Sequence, residues 1–132
     1  MVNREHSRKE HWKDMPEEHD YPAAADYLAL VLGHPHVEKI ISNLRKAEVD
    51  FKKAKDILRA SQLRLLPPEN QHVAKDLKSV KDGEKLSPVL LVRGDASRSI
   101  PLTIADGYHR VCASYYLDED SDIPCIISDI PD

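Results

Sequence analysis

The chain has 132 residues, of which 41% are hydrophobic, enough for one modest core and too few for a membrane protein. No apolar run approaches the ~20 residues of a spanning helix, and the charged start from Met1 to Asp20 has no apolar stretch of the secretory-signal kind, so a soluble cytosolic protein is expected. The net charge of −4, from 19 basic and 23 acidic side chains, argues against a tight grip on generic DNA.

Residues 1–20 read as a flexible tail, rich in charge, with His6, His11 and His19 scattered through it and Trp12 as its main apolar side chain. The texture changes at Tyr21-Pro22. Ala23 to Leu32 is full of good helix formers, with Pro22 suited to a first turn and Gly33 to a stop. After His34-Pro35, the residues Val37, Ile40, Ile41 and Leu44 stand at helical spacing. Residues 21–48 are thus expected to form a helical hairpin, and residues 49–132 the domain that it precedes.

In that domain Val49-Asp50-Phe51 alternates like a short strand. The spacing predicts a helix over Ala54–Ser61, with Ile57, Leu58 and Ala60 inward, and another over Glu69–Lys81 behind the break at Pro67-Pro68, ended by Gly83. Val89-Leu90-Leu91-Val92 is a continuous apolar run, as in a central strand covered on both faces. A second strand is expected over Ile100–Ala105, a helix over Asp106–Leu117 and a last strand over Ile123–Ser128. Five basic residues (Lys52, Lys53, Lys55, Arg59, Arg64) against two acidic ones mark Val49–Leu66, whereas Asp118–Asp132 holds six acids and no base. A solvated face and an acidic tail explain both. Cys112 and Cys125 each stand alone among apolar residues and read as core, without a disulfide.

The chemistry concentrates where a strand runs directly into a helix, at Ile104-Ala105-Asp106-Gly107-Tyr108-His109-Arg110. Gly107 permits a tight turn, and the first N–H groups of the new helix lack internal partners, so they can face a phosphate or carboxylate. The helix dipole alone is worth only about 0.3–1 kcal/mol at an exposed site. Arg110 can add charge-assisted bonds and His109 a donor that titrates near neutral pH. The structural alternative is equally open on spacing: Asp106 as N-cap, Gly107 for packing, Arg110 on the surface. His34-Pro35-His36 and the irregular tail histidines fall short of a zinc ligand set, and no metal site is expected. Tyr115-Tyr116 reads as core packing.

The ordered segments Glu84–Val92, Leu102–Ala113 and Ile123–Ile127 resemble the core of the ParB-like nuclease/sulfiredoxin superfamily over about residues 49–128. The family's pattern is a glycine at a helix end, a strand led by proline, a second strand, Asp-Gly-x-His-Arg or Gly-Glu-Arg-Arg, a helix containing alanine, and a final Val/Ile-Pro strand. The resemblance implies an α+β fold with a small mixed sheet and flanking helices, preceded here by the helical hairpin. It also implies a phosphate site at Gly107, Tyr108, His109 and Arg110, with Asp106 as a catalytic or metal-binding carboxylate. The implied ligand is a nucleoside di- or triphosphate with Mg²⁺, because partition proteins use CTP and sulfiredoxin and the free serine kinases of this fold use nucleotide.

The departures narrow the reading. Sulfiredoxin carries its cysteine immediately before the His-Arg pair, where this chain has Tyr108, so that activity is not expected. Partition proteins have a glutamate there and DNA-binding helices after the core. Leu66-Pro67-Pro68-Glu69-Asn70-Gln71-His72 stands at the family's Asn-Pro-Arg loop without its arginine, leaving Glu69 as a candidate base or a helix-start partner. The leading expectation is a stand-alone domain that binds a nucleotide or other phosphate-bearing small molecule, with hydrolysis or phosphoryl transfer as its conceivable chemistry. The alternatives are a protein-interaction module using the N-terminal helices, and a DNA-binding or nuclease accessory using the Lys52–Arg64 basic stretch.

Overall fold

The computed structural model describes residues 11–131. Its elements in chain order are β1 (His11–Trp12), α1 (Asp20–Leu28), α2 (His34–Lys46), β2 (Asp50–Lys53), α3 (Ala54–Ser61), α4 (Gln71–Lys81), β3 (Lys85–Leu86), β4 (Val89–Val92), a 3-10 turn (Ala96–Arg98), β5 (Thr103–Asp106), α5 (Tyr108–Leu117) and β6 (Asp122–Ser128). These five helices and two small sheets make a mixed α+β structure. Among the described residues no helix is long and apolar enough to cross a membrane.

The main sheet has the order β2-β6-β4-β5. The central pair β4 and β6 is parallel, with Leu90 beside Ile126, and both outer pairings are antiparallel. All four residues of β4 are buried, as an uninterrupted apolar strand inside a sheet requires. Because successive side chains alternate between faces, Val89 and Leu91 enter one core and Leu90 and Val92 the other. The first core joins Ala54, Ile57 and Leu58 of α3, Val73 of α4 and Val111, Cys112 and Ala113 of α5 to Ile104, Ile123 and Cys125. The second joins Tyr21, Ala24 and Leu28 of α1 and Val37, Ile40 and Leu44 of α2 to Ala105 and Ile126. The N-terminal hairpin therefore packs on one face of the sheet over β4, β5 and β6, while Phe51 of the edge strand β2 stays half exposed.

Several boundaries differ from the sequence expectation for local reasons. Helix α1 begins earlier than Ala23, at Asp20, and passes into turns at Ala29. Helix α4 starts at Gln71 because Asn70 is its cap, accepting from the N–H groups of His72 and Val73. In α3 the fourth inward residue is Ser61, whereas Ala60 is exposed. Ile100 stands outside β5 in a single bridge to Asp95. Of the expected tail, residues 1–10 lie outside the described residues. From His11 on the chain follows the body: β1 pairs in parallel with β3, Lys13 N–H donates to Leu86 O at 2.8 Å, and Trp12 packs on the first core. One indole and the buried Pro16 supply the apolar contact that a charge count conceals. Both cysteines are free and buried, and burial pushes the Cys125 thiol up to about 12.

Candidate functional site

Strand β5 leaves the sheet at Asp106, and α5 starts two residues later through Gly107, whose φ of +107° is open to glycine and rarely to other residues. The space a Cβ would occupy there is already filled, with Val89 Cγ1 at 2.5 Å and Arg110 Nη2 at 2.9 Å. Gly107 thus lets the Arg110 side chain fold back across the turn. Arg110 Nη2 donates to Asp106 Oδ2 at 2.9 Å and to Pro88 O at 3.4 Å. Its Nε is buried without a hydrogen-bond partner.

This geometry corrects the expectation that Asp106 caps the helix. Gly107 occupies the cap position and makes no side-chain bond, while Asp106 remains in β5 opposite Leu90. Its carboxylate meets the guanidinium one helical turn on. The pair is largely covered, with side chains only 17% and 19% exposed. Burial pushes the Asp106 carboxyl above the usual carboxylate range against the pull of Arg110.

Arg110 is a common neighbour of several ionisable groups. Its charge also reaches Asp76 on α4, whose carboxyl burial likewise raises, and Glu17, which the Lys13 hydrogen bond holds low. His109 lies against His72, their ring centroids 4.6 Å apart. Burial lowers the His109 pKa, His72 and Arg110 push it the same way, and Asp76 opposes them. From the other side α1 brings Asp20, which is 4% exposed and raises the Asp106 pKa by its charge. Asp20 Oδ2 accepts from Glu17 N at 3.0 Å, and its other oxygen faces His19 Nε2 at 3.3 Å.

The structure therefore gathers Asp106, Gly107, His109 and Arg110 with Asp76, His72 and Asp20, which sequence reading had left out. His72 and Asp76 are one helical turn apart, each just before an apolar residue of the α4 stripe (Val73, Leu77). That places them at the margin of the buried face, the one signal that could have marked them. The Tyr108 ring stacks on His109, with centroids 5.6 Å apart, and its hydroxyl donates to the carbonyl of Arg64. Glu69 is exposed in the turn before α4, and its charge is felt at the Tyr116 hydroxyl; no described contact joins it to Asp106 or Arg110. Asn70 does the capping for which Glu69 was a candidate.

Elsewhere, much of the basic stretch is locally neutralised. Lys52 pairs with Asp50, Lys55 with Asp120 at 2.7 Å, and Arg59 with Asp56. Among the described residues no group of three or more His, Cys, Asp or Glu side chains could hold a metal ion. A cleft of about 650 Å³ lies at the other end of the sheet, beside Arg93, Arg98 and Asp129. No family model, curated protein or solved structure matches the chain.

Proposed function

We infer that the chain contains a domain of the ParB/sulfiredoxin type that binds a nucleotide or other phosphate-bearing ligand at the start of α5. The observation that carries this reading is the Arg110 guanidinium, held at a strand–glycine–helix turn among groups with displaced titration and with a buried N–H that lacks a partner. The mixed sheet, with the turn leaving its edge strand, agrees with the sequence resemblance. In this reading a phosphate takes the place of the Asp106 carboxylate on Arg110, and the α5 N–H groups and His109 add donors. Mg²⁺ suits the site only as a partner of the ligand. It keeps several waters and takes one or two carboxylates plus phosphate oxygens, and Asp106 and Asp76 are the half-buried carboxylates that fit. Asp106 released from Arg110 is the group for proton transfer in any hydrolysis or phosphoryl transfer.

The test is a thermal-shift panel of nucleoside di- and triphosphates with and without Mg²⁺. A ligand at about 100 times its dissociation constant adds ~2.7 kcal/mol. For a domain of this size that is a rise of roughly 5–15 °C in Tm. Arg110→Ala should remove most of the rise. A flat panel overturns the reading.

A protein-interaction module remains the second reading, and one observation favours it. Leu30 is 83% exposed and Val31 53%, beside the half-exposed Tyr27 at the end of α1. Loss of partner capture in Leu30→Asp, with no nucleotide response in the parent protein, would put this reading first.

A further inference from the structure

The geometry points to a second ligand site at the opposite end of the sheet, an open cleft for a small organic anion with an apolar body. Strands β4 and β6 run parallel, and their chains part where they end. One turns into the loop to β5, the other continues as Asp129, Ile130 and Pro131. The crevice outside the carboxyl ends of parallel strands is where open α/β sheets receive ligands. Here it is a cleft of about 650 Å³, within the size range of small-molecule sites.

Its chemistry is two-sided. Arg93 and Arg98 line it together with the apolar side chains of Leu32, Ile100 and Ile130. Arg93 uses Nε on Asp129 Oδ1 at 2.7 Å, which orients the guanidinium and, among the described residues, leaves its two terminal nitrogens for another acceptor. The second lining carboxylate, Asp95, is turned into its own loop, accepting from Ser97 N at 3.0 Å and Ser97 Oγ at 2.6 Å. Among the described residues no ion pair engages the Arg98 guanidinium. Each carboxylate thus has its Oδ1 engaged, while among the described residues guanidinium N–H groups of Arg93 and Arg98 have no acceptor and can receive an oxyanion.

The loop that carries Arg98 is built to hold its shape. Asp95 and Ile100 exchange backbone hydrogen bonds of 2.8 and 2.9 Å, and the 3-10 turn closes between them. A Cβ on Gly94 would lie 2.4 Å from Ile100 O, so only glycine lets the returning chain pass this close. A fixed loop loses little entropy when a ligand docks against it. The head group is a carboxylate or a phosphate monoester, which share the acceptor geometry a guanidinium recognises. The body of the ligand lies on Leu32, Ile100 and Ile130.

The experiment titrates the full-length protein with benzoate, phenyl phosphate and the uncharged benzyl alcohol, followed by NMR at the Ile100 and Ile130 methyl groups and at the His109 ring. The expected result is saturable movement of both methyl signals with benzoate or phenyl phosphate, at a dissociation constant of about 1 mM or tighter, and a His109 signal that stays still with benzoate. The more strongly bound head group identifies the source. Benzyl alcohol should bind at least about tenfold more weakly, and Arg93→Gln and Arg98→Gln should each weaken the anion by about three- to tenfold. Both arginines are exposed, so their variants should keep the parental melting temperature. Equal binding of the neutral compound, absence of saturation, or movement confined to His109 overturns the site. Because the nucleotide panel reads the other end of the sheet, the two proposals fail independently.

Discussion

An arginine–aspartate ion pair stands at each end of the main sheet. Arg110–Asp106 is 2.9 Å long with side chains 17% and 19% exposed, and Arg93–Asp129 is 2.7 Å long with side chains 62% and 79% exposed. Distance does not separate them. Burial does, and burial decides what an ion pair does. A covered pair has given up hydration and leaves an expensive orphan when one partner is removed, whereas an exposed pair is screened and contributes little. The first end is closed, with Arg110 folded over a glycine and bordered by Glu17 and Asp20 of the N-terminal segment. The second is an open cleft whose arginines, among the described residues, keep unused donors.

The closed end should break most readily at Gly107. Alanine there meets a φ of +107° and two heavy atoms at or inside 2.9 Å, one of them a methyl of the buried Val89. Backbone strain and overpacking together should cost about 2–4 kcal/mol. Denaturant unfolding of Gly107→Ala measures it. A cost below about 1 kcal/mol would show that the turn relaxes, and the closed end would then be softer than its packing implies.

Next comes Arg110→Ala. It strands the half-buried Asp106 carboxylate beside the acidic Asp20 and should cost about 1–3 kcal/mol at neutral pH. The loss should shrink in acid, where Asp106 takes up a proton and no longer needs the guanidinium. If the cost were the same across the carboxylate range, contacts of the arginine stem would be responsible instead of charge.

The fold and the two ends were unequally legible in the sequence. Val89–Val92 announced a central strand because four consecutive apolar residues leave no polar face, and the periodicity of Val37, Ile40 and Leu44 announced an amphipathic helix. The turn at Gly107 was visible because glycine between a strand pattern and a helix pattern has few other uses. What the turn does with its glycine was not. The same five letters fit a capped helix facing a ligand and a guanidinium folded over the backbone. Only the positions of Val89 and Pro88, which are distant in sequence, decide between them. Asp76 and Asp20 escaped notice because each matters through neighbours distant in sequence, Asp76 through α5 and Asp20 through β5. The β1–β3 pairing escaped because strands of two residues have no period to read.

Asp76 offers a sharper probe of the closed end with a smaller effect. Burial raises its carboxyl, so the folded protein holds that proton more tightly than the unfolded chain does. Stability from this group is therefore fully present below the unfolded value of about 3.9 and is lost as pH rises through the higher folded value. Asp76→Asn removes the loss. The variant should match the parent in acid and exceed it at neutral pH by up to about 1 kcal/mol, read as unfolding free energy against pH. If Asp76 also serves a phosphate ligand, the same variant should weaken nucleotide binding while it stabilises the fold, the opposite signs that mark a group kept for function. Loss of stability at neutral pH would mean that the cationic neighbours of Asp76 outweigh its desolvation.

The smallest effect belongs to the open end and completes the contrast. Arg93→Ala removes a 2.7 Å ion pair in which both side chains are mostly in water. The backbone bond that joins the ends of β4 and β6, from Arg93 N to Ser128 O, uses no side-chain atom and survives the substitution. Exposed pairs of this kind are worth about 0–1 kcal/mol and are screened by salt. The expected destabilisation is thus below about 0.5 kcal/mol, and it should fade between low salt and about 1 M, where the screening length falls to ~3 Å. The measurement is a pair of denaturant titrations of the parent and Arg93→Ala at the two salt concentrations. A salt-insensitive loss above about 1.5 kcal/mol would mean that the Arg93 stem packs against Ile100 and Ile130 as part of the core, and the cleft between them would be a seam of the fold with no room for a ligand.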